Sequence, residues 1–182
     1  SEVEKLKKEL EDHVRDIEKK LRDLMRENEE HAKRARERLK KLLEDNEENV
    51  KDIEDKVRKK RDKEEVIKKL IDHHRKLSED SVRDIEELIK DHKRLSEETS
   101  ERIKRLIEDH RRLLKEISDK IRDEDTLRKI REDAKRSEKK LEEILRTIRK
   151  RNEKVIRDLR RLLEELRKRN REAIERLRKE LE

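Results

Sequence analysis

Apolar residues recur along the chain at spacings of three and four, in three stretches that each trace one face of a helix. The first stripe runs Val3, Leu6, Leu10, Val14, Ile17, Leu21 and Leu24, and resumes through Leu39, Leu42, Val50, Ile53 and Val57. It then stops, because "RKKRDKEE" supplies no apolar residue before Val66 and Ile67. At about 100° per residue, Ile67 and Leu70 lie well off the direction of Val57, so one continuous helix would scatter its core. The pattern predicts a turn near Lys59 to Asp62, with Asp62 as N-cap of a second helix and Glu65 three residues on. The second stripe passes through Leu70, Leu77, Ile85, Leu88, Leu95, Ile103, Leu106, Leu113, Ile117 and Ile121. Its phase breaks across "RDEDT", where Asp123 or Asp125 can cap a third helix whose stripe runs from Leu127 to Leu181. At the start of the chain, Ser1-Glu2-Val3-Glu4 has the form of a capping box.

Three helices follow, at about 1–59, 62–121 and 125–182, each roughly 85–90 Å long at the usual rise. Connections of a few residues force neighbouring helices to run antiparallel. The expected fold is all-α: a long, nearly straight up-down-up antiparallel three-helix bundle, forming a single domain over residues 1–182.

Polar residues interrupt the stripes at a fixed interval of eighteen. "LIDHHRKL", "LIKDHKRL" and "LIEDHRRL" place His74, His92 and His110 at matching positions of helix two. In helix one, Asn28 aligns with Asn46, and His13 with His31 and then Asn49; in helix three, Asn152 aligns with Asn170. Eighteen residues make five turns of an ideal helix, so this repeat needs little supercoiling, unlike a heptad. Antiparallel geometry then sorts the polar positions into levels about 27 Å apart. One level is expected to gather Asn46, Asn49, His74, Ser78, Ser81 and Asn170, and the next Asn28, His31, His92, Ser96, Thr99 and Asn152. A third, abbreviated level holds His13, His110, Ser118 and Ser137, with Leu10 and Ala134 where asparagines stand elsewhere.

Neutral imidazole and carboxamide each combine donor and acceptor, so such levels can satisfy themselves across three helices. An unpaired buried polar group costs roughly 1–3 kcal/mol, so sliding a helix until His or Asn faces Leu is penalised. The expected role of these network positions is structural, fixing register.

Composition agrees with few turns. The chain contains no Gly, Pro, Cys, Phe, Tyr or Trp, and 61% of its residues are charged. Only 27% are apolar, close to the share a two-in-seven seam requires (about 28%). The net charge of +7 is spread along the chain, which suits solubility without marking a nucleic-acid partner. No apolar run approaches the roughly 18 residues needed to cross a bilayer, and "SEVEKLKKEL" does not read as a signal peptide.

With its charge-saturated surface, missing Gly and Pro, regular repeat and "DEDTLRK" helix start, the whole chain resembles computationally designed helical bundles with modular buried hydrogen-bond networks. Gly-free turns and Gln-free networks depart from many members of that class. The resemblance implies a scaffold, assembly module or switch component with no natural substrate, enzymatic activity or cofactor. A natural coiled-coil spacer fits less well, since it would rarely lack so many residue types.

Other chemistries are weaker on the same residues. Histidines three or four apart would favour a metal, but the interval is eighteen, and pairs such as His31 with His92 or His13 with His110 bring no obvious carboxylate. Catalysis lacks a thiol, a phosphate loop and an evident pocket. Basic runs such as "RKRNEK" are closely followed by acidic residues, and aromatic stacking platforms are absent, so neither nucleic acid nor membrane is expected as partner. Buried histidines predict destabilisation at acid pH, with His73 left at the rim or in solvent. Flanking residues, among them Met25, Ile71, Ile89, Ile107, Leu114 and Leu163, widen the stripes. That width either closes a three-helix core or leaves a groove for another helix or a second copy.

Overall fold

The computed structural model describes residues 1–59 and 64–179. They form three α-helices, α1 (Glu2–Lys59), α2 (Glu64–Lys120) and α3 (Glu124–Lys179), with no strand among the described residues. The expected cap at Asp62 and the end of the third stripe at Leu181 lie outside the described residues.

Each visible helix start has a local cause. The Glu4 N–H donates to Ser1 Oγ at 3.3 Å and the Lys5 N–H to the Ser1 carbonyl at 3.3 Å, so Ser1 caps α1, with the Glu4 carboxylate 4.0 Å from the Ser1 amino group. Between α2 and α3, Asp123 is the cap. Its Oδ2 accepts from the Thr126 hydroxyl at 2.5 Å and from the Thr126 N–H at 3.3 Å, while its carbonyl accepts from the Leu127 N–H at 2.9 Å. The Thr126 hydroxyl first, and its backbone N–H second, hold the Asp123 carboxyl below the usual carboxylate range. Asp125 instead pairs along the helix with Arg128 at 2.9 Å. On the other side of the turn, the Ile121 N–H closes onto the Ser118 carbonyl at 3.3 Å, and the Ile121 side chain is buried. No described residue has a positive φ, so this connection is made without glycine. Acidic residues occupy the first turn of each helix and basic residues the last, opposing the end charges of the helix dipole.

The chain divides into two compact units. The first comprises Ser1–Glu30 with Arg94–Glu153, and the second His31–Lys93 with Lys154–Glu182. Within the first, Leu10 packs with Ile117, Ile121 and Ile130, and Ile17, Leu21 and Leu24 pack with Ile103, Ile107, Leu141, Leu145 and Ile148. Numbers that rise along α1 meet falling numbers on α2 and rising numbers on α3, so α2 runs against the other two. The second unit repeats this order. Ala32, Ala35 and Leu39 pack with Ile85, Ile89, Val155, Leu159 and Leu166, and Ile53 and Val57 with Ile67, Ile71 and Leu177.

The widened stripes are used for closure. Ile71, Ile89, Ile107 and Leu163 are buried, and no large hydrophobic side chain is exposed among the described residues. Burying one Leu or Ile is worth about 1.5–3 kcal/mol, whereas an exposed ion pair along a helix contributes about 0.2–0.5 kcal/mol. The seams therefore outweigh the many surface pairs, such as Lys20–Asp16 at 2.9 Å and Lys56–Asp52 at 3.0 Å.

Replacing Asp123 by Ala is expected to lower the thermal midpoint measured by circular dichroism, while Asp123→Ser keeps most of it and Asp125→Ala leaves it unchanged. Equal effects of Asp123→Ala and Asp125→Ala would show that the cap is misplaced.

Candidate functional site

Asn28 stands at the centre of the α1 stripe with 4% of its surface exposed. Its Nδ2 donates to the Leu24 carbonyl at 2.7 Å and to Thr99 Oγ1 on α2 at 2.8 Å. Its Oδ1 accepts from Asn152 Nδ2 on α3 at 2.9 Å. Both amide hydrogens and the carbonyl oxygen of one side chain are thus engaged, and three helices are tied at one point. Around this centre, Arg151 reaches Glu29 at 3.0 Å and Arg102 approaches Glu27 at 3.9 Å.

The second unit contains the same α1–α3 motif, shifted by one repeat. Asn46 Nδ2 donates to Asn170 Oδ1 at 2.8 Å, and Arg169 meets Glu47 at 2.5 Å. These four residues lie eighteen positions beyond Asn28, Asn152, Arg151 and Glu29.

Histidines pair between α1 and α2. In the first unit, His13 and His110 stack with parallel rings, their centroids 5.9 Å apart. In the second, His31 and His92 stack at 5.1 Å and bring Nδ1 to within 2.9 Å of Nδ1. One of those nitrogens must donate and the other accept. Moving eighteen residues up α1 and eighteen down α2 converts one pair into the other.

The next step of that shift would set Asn49 against His74, and here the expectation fails, because Asn49 is exposed. His13, His31 and Asn49 share a position at the edge of the α1 stripe. An imidazole is long enough to lean inward from that edge, and His13 and His31 are half-buried. A carboxamide is shorter, and water satisfies it where it stands. His74, only 1% exposed, is left with Ser78 Oγ at 3.4 Å from its Nε2 and no hydrogen bond to Nδ1.

The remaining expected positions divide by depth. Ser78, His92 and Thr99 are buried, whereas Ser81 and Ser96 are half-buried; His73 is exposed, as expected. Ser100 is also buried, although the sequence reading passed over it. Its spacing of four from Ser96 and three from Ile103 was the available signal.

The levels can satisfy themselves, but not all of their groups do. Buried nitrogens without a hydrogen bond remain at His13 Nε2, His74 Nδ1, both ring nitrogens of His110, and Asn170 Nδ2. The His110 level lacks a carboxamide on either flanking helix, since Leu10 and Ala134 occupy those places.

Burial shifts two of these rings. Desolvation lowers the His74 pKa, opposed by the Glu54 carboxylate and reinforced by His73. Desolvation likewise lowers that of His110, with the Ala134 backbone and Glu138 acting against it and His13 with it. What these positions do chemically is donate and accept hydrogen bonds across helices and resist protonation at two of them. Among the described residues, no three His, Cys, Asp or Glu side chains gather as they would around a metal ion.

No protein-family model and no curated protein sequence matches the chain. Among solved structures, it is similar to a computationally designed three-helix bundle, with a TM-score of 0.72 over 99% of this chain and 92% of that one, at 19% identity. The fold is therefore a three-helix bundle. No helix among the described residues is long and apolar enough to cross a membrane.

Asn28→Leu should destabilise the protein by about 1–3 kcal/mol in denaturant titrations, because Thr99 and Asn152 lose their buried partner. Replacing all three by Leu, Val and Leu should recover that loss. A triple variant no more stable than the single one would contradict a coupled network.

For the histidines, the folded-state pKa of His74 and His110 lies below the unfolded value of about 6.5. The unfolded chain then binds more protons in the interval between the two values, so stability rises with pH there. It is full above about pH 6.5 and declines as pH falls below it. The urea midpoint should be lower at about pH 5 than at about pH 7.5, and His74→Leu with His110→Leu should flatten that difference.

Proposed function

We propose that the chain is a designed structural scaffold whose buried His, Asn, Ser and Thr positions specify helix register, without enzymatic activity or a cofactor of its own. The observation that carries this reading is the recurrence of cross-helix partners after one repeat. Asn28–Asn152 recurs as Asn46–Asn170, and His13–His110 as His31–His92. A slip of a few residues would break both series at once and orphan each amide, at about 1–3 kcal/mol per group.

Composition supports the same reading, since a chain without Gly, Pro, Gln, Cys or aromatic residues is built from helix formers and little else. The similar solved structure is itself a computationally designed bundle. Acid sensitivity follows from burying imidazoles and needs no separate purpose.

In this reading the three stripes satisfy one another within one chain, and residues 1–182 act as one domain. The absence of exposed large hydrophobic side chains among the described residues favours it over an assembly module with an open groove. Light scattering at neutral pH should return the monomer mass of 22.6 kDa, and urea unfolding followed by helicity should show one transition. A dimer or larger species would overturn the self-contained scaffold in favour of an assembly module.

A further inference from the structure

The His110 level is where the repeat is missing a side chain. Ala134 lies eighteen residues before Asn152, at the place where the other levels carry a carboxamide on α3. Ala134 borders an open cleft. Between α1 and α3 of the first unit runs a cavity of about 200 Å³, whose lining includes His110, Ser137, Ile17, Leu21, Leu141 and Ile144. A shallower cleft of about 440 Å³ reaches the same His110 and Ser137 and includes Ala134. His110 is 1% exposed and lines both spaces; the Ala134 backbone carbonyl draws on the ring, but neither ring nitrogen makes a hydrogen bond of full geometry.

We infer that this cavity is a binding site for a small uncharged molecule with a ring-sized apolar body and one hydroxyl, the phenol class. Its size suits a single ring, since an apolar cavity of about 150 Å³ is enough to hold benzene. The inner wall is aliphatic, so most of the ligand surface must be apolar. At the polar end a neutral imidazole offers one acceptor nitrogen, to which a ligand hydroxyl donates. Burial keeps the imidazole in that neutral form at neutral pH.

The rim argues against an ionised ligand. Glu18 stands there with Arg22 and Lys140, so a ligand of either sign would meet a like charge as well as an opposite one. A phenolic hydroxyl, with a pKa near 10, is uncharged under the same conditions. A metal ion is disfavoured because no third His, Cys, Asp or Glu joins the two histidines among the described residues.

The test uses phenol itself with the full-length protein, and toluene as the ring without the hydroxyl. Since the chain has no Phe, Tyr or Trp, the ultraviolet band of bound phenol is read without protein background. Phenol should bind saturably at about one molecule per chain, and about tenfold more tightly than toluene. His110→Leu should bring phenol down to the level of toluene while the helical signal is retained. Ala134→Asn should lower phenol to the level of toluene, by pairing His110, and leave toluene binding in place. Absence of saturable phenol binding, equal binding of phenol and toluene, or a phenol preference that survives His110→Leu would each overturn the assignment. The outcome is independent of whether the chain is a monomeric scaffold.

Discussion

A carboxamide buried where three helices meet has no water to turn to, and this constraint organises the rest of the seam. Asn28 meets it by engaging Leu24, Thr99 and Asn152 together. Each of those bonds is worth only about 0.5–1.5 kcal/mol net, because the unfolded chain bonds to water instead. The decisive quantity is the cost of failing to make them. A helix pair joined only by Leu and Ile would lose little by sliding to another register, whereas the amide loses its partners within a single turn. Aliphatic clusters around it, such as Ile17, Leu21, Ile103 and Leu141, supply the stability. The amides decide which arrangement receives it.

Histidine does this less completely. An imidazole is rigid, with its two nitrogens pointing in different directions, so satisfying both requires partners from two sides. His31 and His92 meet through Nδ1, while His110 lies between Leu10 and Ala134 without a bond at either nitrogen. The same side chain is thus a connector in one unit and an unsatisfied donor and acceptor in the other. The difference lies in what the flanking helices present, since the rings are identical. Burial lowers the pKa of His74 and His110 for the same reason: nothing nearby stabilises the cation enough to offset lost hydration.

Helix number, order and the main buried face were legible because period and phase survive any uncertainty about side-chain detail. The asparagine pairs were legible as well, since Asn28 with Asn152 and Asn46 with Asn170 follow from the repeat once the helices are antiparallel. Sequence reading failed where side-chain reach matters more than position. Asn49 occupies the same place as His13 and His31 yet is exposed, because a carboxamide is too short to turn inward from the edge of the stripe. The choice between Asp123 and Asp125 was open for a related reason: both stand at the start of the third stripe, and only the Thr126 hydrogen bonds select one. The unpaired nitrogens of His110 depend on angles that no spacing encodes.

A repeat that fixes register over a few residues leaves one ambiguity, a slip of eighteen. After such a slip the aliphatic faces would still match, and the pattern of Asn and His would superimpose on itself. Surface charges would not prevent it, because the Glu29–Arg151 pair is copied as Glu47–Arg169. The positions that break the repeat do prevent it. If α1 slid one repeat along α3, Asn28 would face Ala134 or Asn170, and Leu10 would leave Ala134 or approach Asn152. The first direction orphans a buried amide against a methyl group. The second pairs Asn28 well but sets the aliphatic Leu10 against the Asn152 amide, and it leaves Asn46 beyond the last asparagine of α3. Ala32 and Ala35, standing where the other repeats carry Val14 with Ile17 and Val50 with Ile53, add a mismatch in volume. The irregular residues therefore complete the specification that the regular ones begin. The incomplete level at His110 is the point where that asymmetry enters the α3 seam.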